Sequence, residues 1–361
     1  MNPHFYAVIL AGGRGERFWP LSTSRRPKQL LALVSEKAML AQAVDRLHGL
    51  IPPERIMVVT NQDLVEASRE AAPQLPKENV IGEPVGRDTA PAVALATALV
   101  KARDPEGVFC ILTADHVIGN LDVFQATLRE SLEVAAREDV LVTIGMRPVE
   151  PATGYGYIQT GETLSFGTAT AYRKAVKFVE KPDRATAERY VAGGDYAWNS
   201  GMFIWSVASI EKALLSHRPG IGALVETLAG EIRTGRLAEA LATYFPQAEK
   251  ISIDYAVMEK AGNIVAATGT FAWDDVGSWT ALENHFDQDT VGNTVIGTCE
   301  MLNAERNIVF SRGRLTALIG VQDLIVVQSE GVTLVCPRER DQEIKQLVAR
   351  LRQSGGYPEL L

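Results

Sequence analysis

At 361 residues, with 46% hydrophobic and 22% charged residues, the chain has the composition of an ordinary globular protein. It exceeds the roughly 250–300 residues at which single cores stop growing, so two domains are expected. A formal net charge of −8 argues against nucleic acid as a partner. No apolar run approaches the ~20 residues that a membrane helix requires.

The amino terminus, MNPHFYAVILAGG, carries no basic leader and enters a short apolar run that reads as a first strand, so a cytoplasmic location is expected. Apolar β-type runs then alternate with helical patterns: AVIL at 7–10, a helix near 38–50, RIMVVT at 55–60 and a helix near 64–72. NVI at 79–81, an alanine-rich helix near 90–102, VFCILT at 108–113, a helix near 123–137 and LVTIGM at 141–146 continue the rhythm. This alternation predicts an α/β fold: a doubly wound, mostly parallel, Rossmann-like sheet whose ligands bind beyond the carboxyl ends of the strands. From residue 150 the pattern loosens into GYGYI, KFVEKP and WNSGMFIW, read as strands and loops added to that sheet to form a substrate half. After His285 five brief β-type runs, NTVIG, NIVFS, LTALIGV, LIVVQ and VTLVCP, suggest a small separate β unit with solenoid-like spacing. In the closing segment RDQEIKQLVARLR, Ile344, Leu347, Val348 and Leu351 fall on one face of a packing helix. The expected boundaries are 1–286 for the main domain and 287–361 for the C-terminal one.

The stretch LAGGRGERFWPLSTSRRPKQL, Leu10–Leu30, packs three glycines, four arginines and one lysine directly behind the first strand. A glycine-rich turn after a strand presents backbone N–H groups as a nest for anions, phosphate above all. It fits neither standard phosphate loop: the P-loop lysine pattern is absent, and Gly13-x-Gly15-x-x runs into Phe18 where the dinucleotide fingerprint needs a third glycine. Asp115 in LTADH follows the strand VFCILT, at the same sheet edge as the basic loop. FAWDDVGSW offers Asp274 and Asp275, either of which could complete a carboxylate pair for a hard cation. In IGEPVGRDTAP, helix capping accounts for Asp88 or Thr89, whereas Glu83 is suited to accept two parallel hydrogen bonds from the N1–H and N2–H₂ of guanine. Glu180, Lys181 and Asn199 are candidates for a sugar phosphate. Cys110, Cys299 and Cys336, widely spaced in apolar stretches, read as buried thiols with neither a disulfide framework nor a zinc site. No Ser/His/Asp or Cys/His spacing suggests a nucleophile.

These segments together resemble the sugar-phosphate nucleotidylyltransferases, whose signature LAGGxGxRLxPLT followed by PK reads here as LAGGRGERFWPLSTSRRPK. IGEPVGRDTAP, LTADH, GYGYI, FVEKP, WNSGMF and FAWDDVGSW are similar to the version found in bacterial mannose-1-phosphate guanylyltransferases. The β-rich tail is similar to that family's short left-handed β-helix. The resemblance implies transfer of GMP from GTP to mannose 1-phosphate with Mg²⁺, in a short form without a fused isomerase domain, acting as a homodimer. It implies that Leu10, Ala11, Gly12, Gly13, Arg14 and Gly15 wrap the nucleotide, that Arg17 neutralises the leaving pyrophosphate and that Lys28 faces the reacting phosphates. Glu83 and the backbone around Asp88 would meet guanine. Asp115 and Asp275 would hold the metal, and Gly154, Glu180, Lys181 and Asn199 would position mannose 1-phosphate. Asp274 falls outside the family's ligand set. Asp88 stands where Asn is common, Thr113 where Pro is common and Phe18-Trp19 where Leu and a variable residue are typical. A glucose-1-phosphate transferase using another nucleotide, or a non-catalytic nucleotide-sugar sensor, is the alternative reading.

Overall fold

A computed structural model describes residues 2–329 and 331–361. The chain packs as two compact units: one holds residues up to Gly12, Ala43–Ala114 and Ile118–Trp273, the other Gly13–Gln42, Asp115–Val117 and Asp274–Leu361. Its strands, in chain order, begin with β1 (Phe5–Ala11), β2 (Ile56–Asn61), β3 (Val80–Glu83), β4 (Val108–Thr113) and the two-residue β5 (Val117–Ile118). They continue with β6 (Leu141–Met146), β7 (Tyr157–Leu164), β8 (Tyr172–Val179), β9 (Tyr196–Ser206), β10 (Ile264–Gly269) and the two-residue β11 (Trp273–Asp274). The helices are α1 (Met39–Asp45), α2 (Val65–Ala71), α3 (Thr89–Arg103), α4 (Leu121–Arg137), α5 (Arg184–Gly193), α6 (Val207–His217), α7 (Pro219–Arg233) and α8 (Leu237–Tyr244).

The first unit is built on a nine-stranded sheet in the order β3-β2-β1-β4-β9-β6-β10-β8-β7. β3, β2, β1 and β4 pair in parallel, as the alternation of strand and helix predicts. β9 inserts antiparallel between β4 and β6, β10 lies parallel to β6, and the β7–β8 hairpin closes the edge. Only β8 and β9 therefore run against the other seven strands, so the sheet is mostly parallel, with the added segments supplying the reversed strands. Strands β1 and β4 are apolar along almost their whole length because helices cover both faces. α3 is buried continuously from Ala90 to Val100, and its alanines let it pack closely against α6 and α7. The stretch 207–244 forms α6, α7 and α8; their Ile210, Leu214, Val225 and Leu228 join the core over α3.

The second unit contains a four-stranded sheet, β12 (Thr294–Leu302), β13 (Ile308–Ile319), β14 (Leu324–Ser329) and β15 (Val332–Pro337), followed by α9 (Ile344–Ser354). β12, β13 and β14 are parallel, as in a solenoid, and β15 turns back antiparallel. The runs NIVFS and LTALIGV are one strand, β13. Its partner register jumps from Gly297↔Ser311 to Cys299↔Thr316, so residues 312–315 loop out as a wide bulge that looks like a turn in sequence. Ile344 and Val348 of α9 enter the unit's core with Phe18, Trp19, Leu31, Trp279 and Phe310, whereas Leu347 of the expected helical face is 39% exposed. Cys110 is buried as expected, but Cys299 and Cys336 are half-exposed. No described helix is long and apolar enough to cross a membrane.

Gly297 is the point on which the bulged register depends: at φ +117°, a Cβ there would sit 2.0 Å from the Ser311 carbonyl oxygen. Gly297→Ala is therefore expected to destabilise the C-terminal sheet by at least ~2 kcal/mol, read as a lowered denaturant midpoint with loss of β signal. An unchanged midpoint would contradict this register.

Candidate active site

In the second unit the basic loop is folded over Lys28. Gly15 adopts φ +60°, and a Cβ on it would lie 2.3 Å from Lys28 Cβ and 2.9 Å from Lys28 N, so only glycine allows the loop to lie against this lysine. Lys28 is 5% exposed. Its Nζ donates to Asp115 Oδ2 at 3.0 Å and to the Asp275 carbonyl oxygen, and it lies 5.8 Å from the Phe18 ring centroid. Phe18 in turn packs on Trp279 at 5.1 Å, which gives the aromatic at this departure from the family pattern a supporting role beneath the cation. Arg17 donates from Nη1 to the Gly277 carbonyl oxygen at 3.2 Å. Lys28 and Arg17 thus both grip the backbone of the DDVGS turn. A cavity of about 360 Å³ opens here, lined by Arg14, Gly15, Arg17, Lys28, Asp115 and Asp275, and also by Lys345 of α9.

The turn bearing Asp275 is strained: Val276, fully buried and β-branched, has φ +45°. Asp274 holds it there, accepting from Val276 N at 2.7 Å, from Asn284 Nδ2 at 3.0 Å and bonding His285 Nε2 at 3.0 Å. Burial opposes ionisation of Asp274, but these bonds outweigh it and hold the carboxyl below its ordinary range. Asp274 is thereby spent on structure, and the carboxylate on the cavity is that of Asp275. Burial likewise works against the Asp115 carboxylate, yet the Lys28 and His116 charges and the hydrogen bond from Lys28 prevail and keep it ionised below the usual range. Asp115, Asp275 and Glu16, the last paired with Arg352, line one cavity, and among the described residues no group of three or more His, Cys, Asp or Glu could form a metal cage. That donor set suits a hard divalent cation completing its shell with substrate phosphate oxygens.

In the first unit, β1 ends at Ala11, whose carbonyl oxygen accepts from Thr60 Oγ1 at 3.0 Å, and the Leu10 carbonyl oxygen accepts from Ala114 N at 3.1 Å. Glu83 closes β3 and is 6% exposed, with Oε2 3.6 Å from where a Gly12 Cβ would stand. Its Oε1 is buried and lacks a hydrogen-bond partner among the described residues. Burial pushes this carboxyl up to about 7. An orphaned buried acceptor of this kind is costly unless a ligand satisfies it. Asp88 lies at φ +67° at the N-cap of α3 and accepts from Thr89 N at 2.8 Å, so capping occupies its carboxylate.

The remaining candidates gather around β7, β8 and β9. Asn199 N donates to the Gly156 carbonyl oxygen at 2.8 Å, and a Cβ on Gly156 would meet Glu180 Oε2 at 2.8 Å. The glycine with a steric requirement is therefore Gly156; Gly154 stands in open space two residues away. Lys181, at φ +44°, reaches Glu180 Oε1 at 2.8 Å and is 60% exposed. Asn199 is clamped: its Oδ1 accepts from Thr143 Oγ1 at 3.2 Å and Gly201 N at 3.3 Å, and its Nδ2 donates to Asp254 Oδ1 at 2.9 Å. Sequence reasoning missed Asp254. Burial first, then the neighbouring Glu180 charge, pushes its carboxyl up to about 6. The only signal was an aspartate opening the apolar run AVM, which reads equally well as a helix start.

The family model for nucleotidyl transferases matches residues 6–291, and a second model, the mannose-phosphate isomerase/GMP-like β-helix domain, matches 299–351. The chain is 40% identical over 350 residues to a mannose-1-phosphate guanylyltransferase of Klebsiella pneumoniae, covering 96% of this chain and 74% of that one. It is 36% identical over 351 residues to the xanthan biosynthesis protein XanB of Xanthomonas campestris, covering 96% and 73%. Among solved structures it is similar to one described as a mannose-1-phosphate geranyltransferase from Thermus thermophilus, with a TM-score of 0.86, 36% identity and coverage of 97% and 99%. A glycine turn moulded to a buried lysine, Asp115 and Asp275 lining the same cavity and these matches along nearly the whole chain lead to one conclusion: the chain belongs to the nucleotidyl transferase family and is a nucleotidyltransferase.

Proposed function

We propose that the protein transfers GMP from GTP to mannose 1-phosphate, releasing pyrophosphate and forming GDP-mannose. The observation that carries this reading is the buried Lys28, 3.0 Å from Asp115 in a cavity that also presents Arg14, Arg17 and Asp275. A phosphate oxygen of mannose 1-phosphate attacks the α-phosphorus of GTP in line. The bond from that phosphorus to the bridging oxygen breaks, and its electron pair leaves with pyrophosphate. Both reactants are polyanions, so the work of this chain is to hold them together and offset their charge. Lys28 and Arg14 face the phosphates, Arg17 takes the leaving pyrophosphate with its planar fork, and Gly12, Gly13 and Gly15 offer backbone N–H groups. Leu10 and Ala11 carry the loop on the end of β1. Asp115 and Asp275 would hold Mg²⁺, which when bound disperses phosphate charge.

Glu83 accepts guanine N1–H and N2–H₂, supported by its buried, unpartnered Oε1, and the backbone at Asp88 lies along the base. Gly154, Glu180, Lys181 and Asn199 bind the sugar phosphate, with Asp254 fixing the Asn199 amide. We further infer a homodimer built through the C-terminal sheet, where the cross-strand pair Leu302 and Ile319 is 59% and 72% exposed.

Three outcomes test this reading. Lys28→Ala is expected to lower pyrophosphate release from GTP and mannose 1-phosphate on the order of 10²- to 10³-fold with the fold retained; near wild-type turnover would remove Lys28 from its role. Because only ionised Glu83 accepts both guanine donors, affinity for GDP-mannose, which does not itself titrate there, should rise as pH increases through about 7 and then level off. Glu83→Gln should bind roughly 10- to 100-fold more weakly and lose the pH dependence, whereas a flat wild-type profile would contradict the base contact. Unliganded stability should change in the opposite sense, being highest below the ordinary carboxyl range and declining as pH rises to about 7. Finally, Leu302→Glu with Ile319→Glu is expected to halve the mass measured by sedimentation, and a monomeric parent chain would refute the dimer.

A further inference from the structure

We propose that the first unit holds a second anion-binding cavity, which takes a small phosphate monoester of hexose or nucleoside size. None of the residues assigned above to the nucleotide, the metal or the sugar phosphate lines it.

The cavity follows from the way the sheet closes. β9 pairs with β7 as well as with β6, so β9, β6, β10, β8 and β7 form a closed ring of five strands. A cavity of about 710 Å³ opens at this ring, and every strand of the ring lends a residue to its lining: Gly145 from β6, Thr160 from β7, Arg173 from β8, Ala197 from β9 and Ala266 from β10. Small closed rings of strands are normally filled by their own side chains. Here the filling is missing. A Cβ on Gly145 would stand 2.9 Å from Ala197 Cβ and 3.9 Å from Ala266 Cβ, so these three residues share one face and leave the space above it open. That space falls within the roughly 300–1,000 Å³ of small-molecule sites.

The lining selects an anion. Although the chain carries a net charge of −8, the charged residues on this cavity are Arg147 and Arg173, with no acid among its lining. Arg147 makes no hydrogen bond or ion pair among the described residues. Arg173 donates from Nε to the Gly161 carbonyl oxygen at 2.9 Å, which leaves both its terminal nitrogens unbonded among the described residues. Asp195, beside the lining residue Tyr196, is turned to Gln159 Nε2 at 3.1 Å. Guanidinium forks match phosphate oxygens, and a phosphate monoester, with a charge of about −1.5 to −2 near neutral pH, balances two of them where a single carboxylate does not. Thr268 adds a hydroxyl, and Val149 and Val191 add apolar surface, which suits the body of a sugar or nucleoside better than a bare ion.

The test is titration calorimetry with glucose 6-phosphate, AMP and inorganic phosphate. It compares wild type with Arg147→Ala, Arg173→Ala and Arg189→Ala, the last removing a cation of α5 that does not line the cavity. Wild type is expected to bind at least one of the two monoesters more tightly than inorganic phosphate. Arg147→Ala and Arg173→Ala should each weaken that binding about tenfold or more, with Arg189→Ala behaving as wild type. Should Arg173→Ala fail to fold for want of its bond to Gly161, Arg147→Ala decides, because that side chain holds nothing else described. Preference for glucose 6-phosphate identifies the ligand as a sugar phosphate, and preference for AMP identifies it as a nucleotide. Binding of neither monoester, no gain over inorganic phosphate, wild-type affinity in Arg147→Ala or an equal loss in Arg189→Ala would overturn the proposal. Binding lost in Lys28→Ala but kept in Arg147→Ala would put the ligand in the cavity of Lys28 and overturn it equally.

Discussion

The pairing of a buried lysine with an acid on the cavity beside the glycine-rich loop constrains most of what surrounds it. An ammonium taken out of water requires a partner of opposite charge, and Lys28 finds it in Asp115 and in the carbonyl dipole of Asp275. Because Lys28 lies against the loop, the loop must carry glycine at position 15. Because its ammonium sits near the Phe18 ring, an aromatic can stand where the family pattern has leucine, and Trp279 packs against that ring. Because it grips the Asp275 backbone, the strained DDVGS turn is fixed from one side by Lys28 and Arg17 and from the other by Asp274. The strain at Val276 is thus held by an over-determined network, as backbone outliers beside functional groups commonly are.

The parallel core was legible because its signals are local. VFCILT and LVTIGM form strands at the residues where the apolar runs begin and end, and the alanine-rich segment forms α3 within a residue at either end. The site was legible in the same way where chemistry demands particular residue types in short spacings, as in the glycine turn, LTADH and the paired aspartates. Choosing between Asp274 and Asp275 was beyond spacing alone, since the difference lies in Asn284 and His285, which close around one and leave the other on the cavity.

What the sequence did not disclose depends on distant contacts. The single strand β13 reads as two because its bulge exposes residues 312–315, which then look like a turn. Asp254 and Lys345 were passed over for a related reason. One sits in a run that reads as a helix start, the other in a helix whose apolar face suffices to explain it, and only the folded chain brings Asp254 to Asn199 and Lys345 to the cavity of Lys28.

In the proposed reaction this arrangement supplies charge and position, and the sugar phosphate is the nucleophile. A lysine can in principle attack a nucleotide α-phosphorus itself, but Lys28 Nζ is held by its hydrogen bonds to Asp115 and the Asp275 carbonyl. The most direct measurement of this claim is exchange of labelled pyrophosphate into GTP without mannose 1-phosphate. Direct displacement by the sugar phosphate predicts no exchange until mannose 1-phosphate is added. Exchange at the rate of turnover in its absence, with GMP trapped on the protein, would contradict the account.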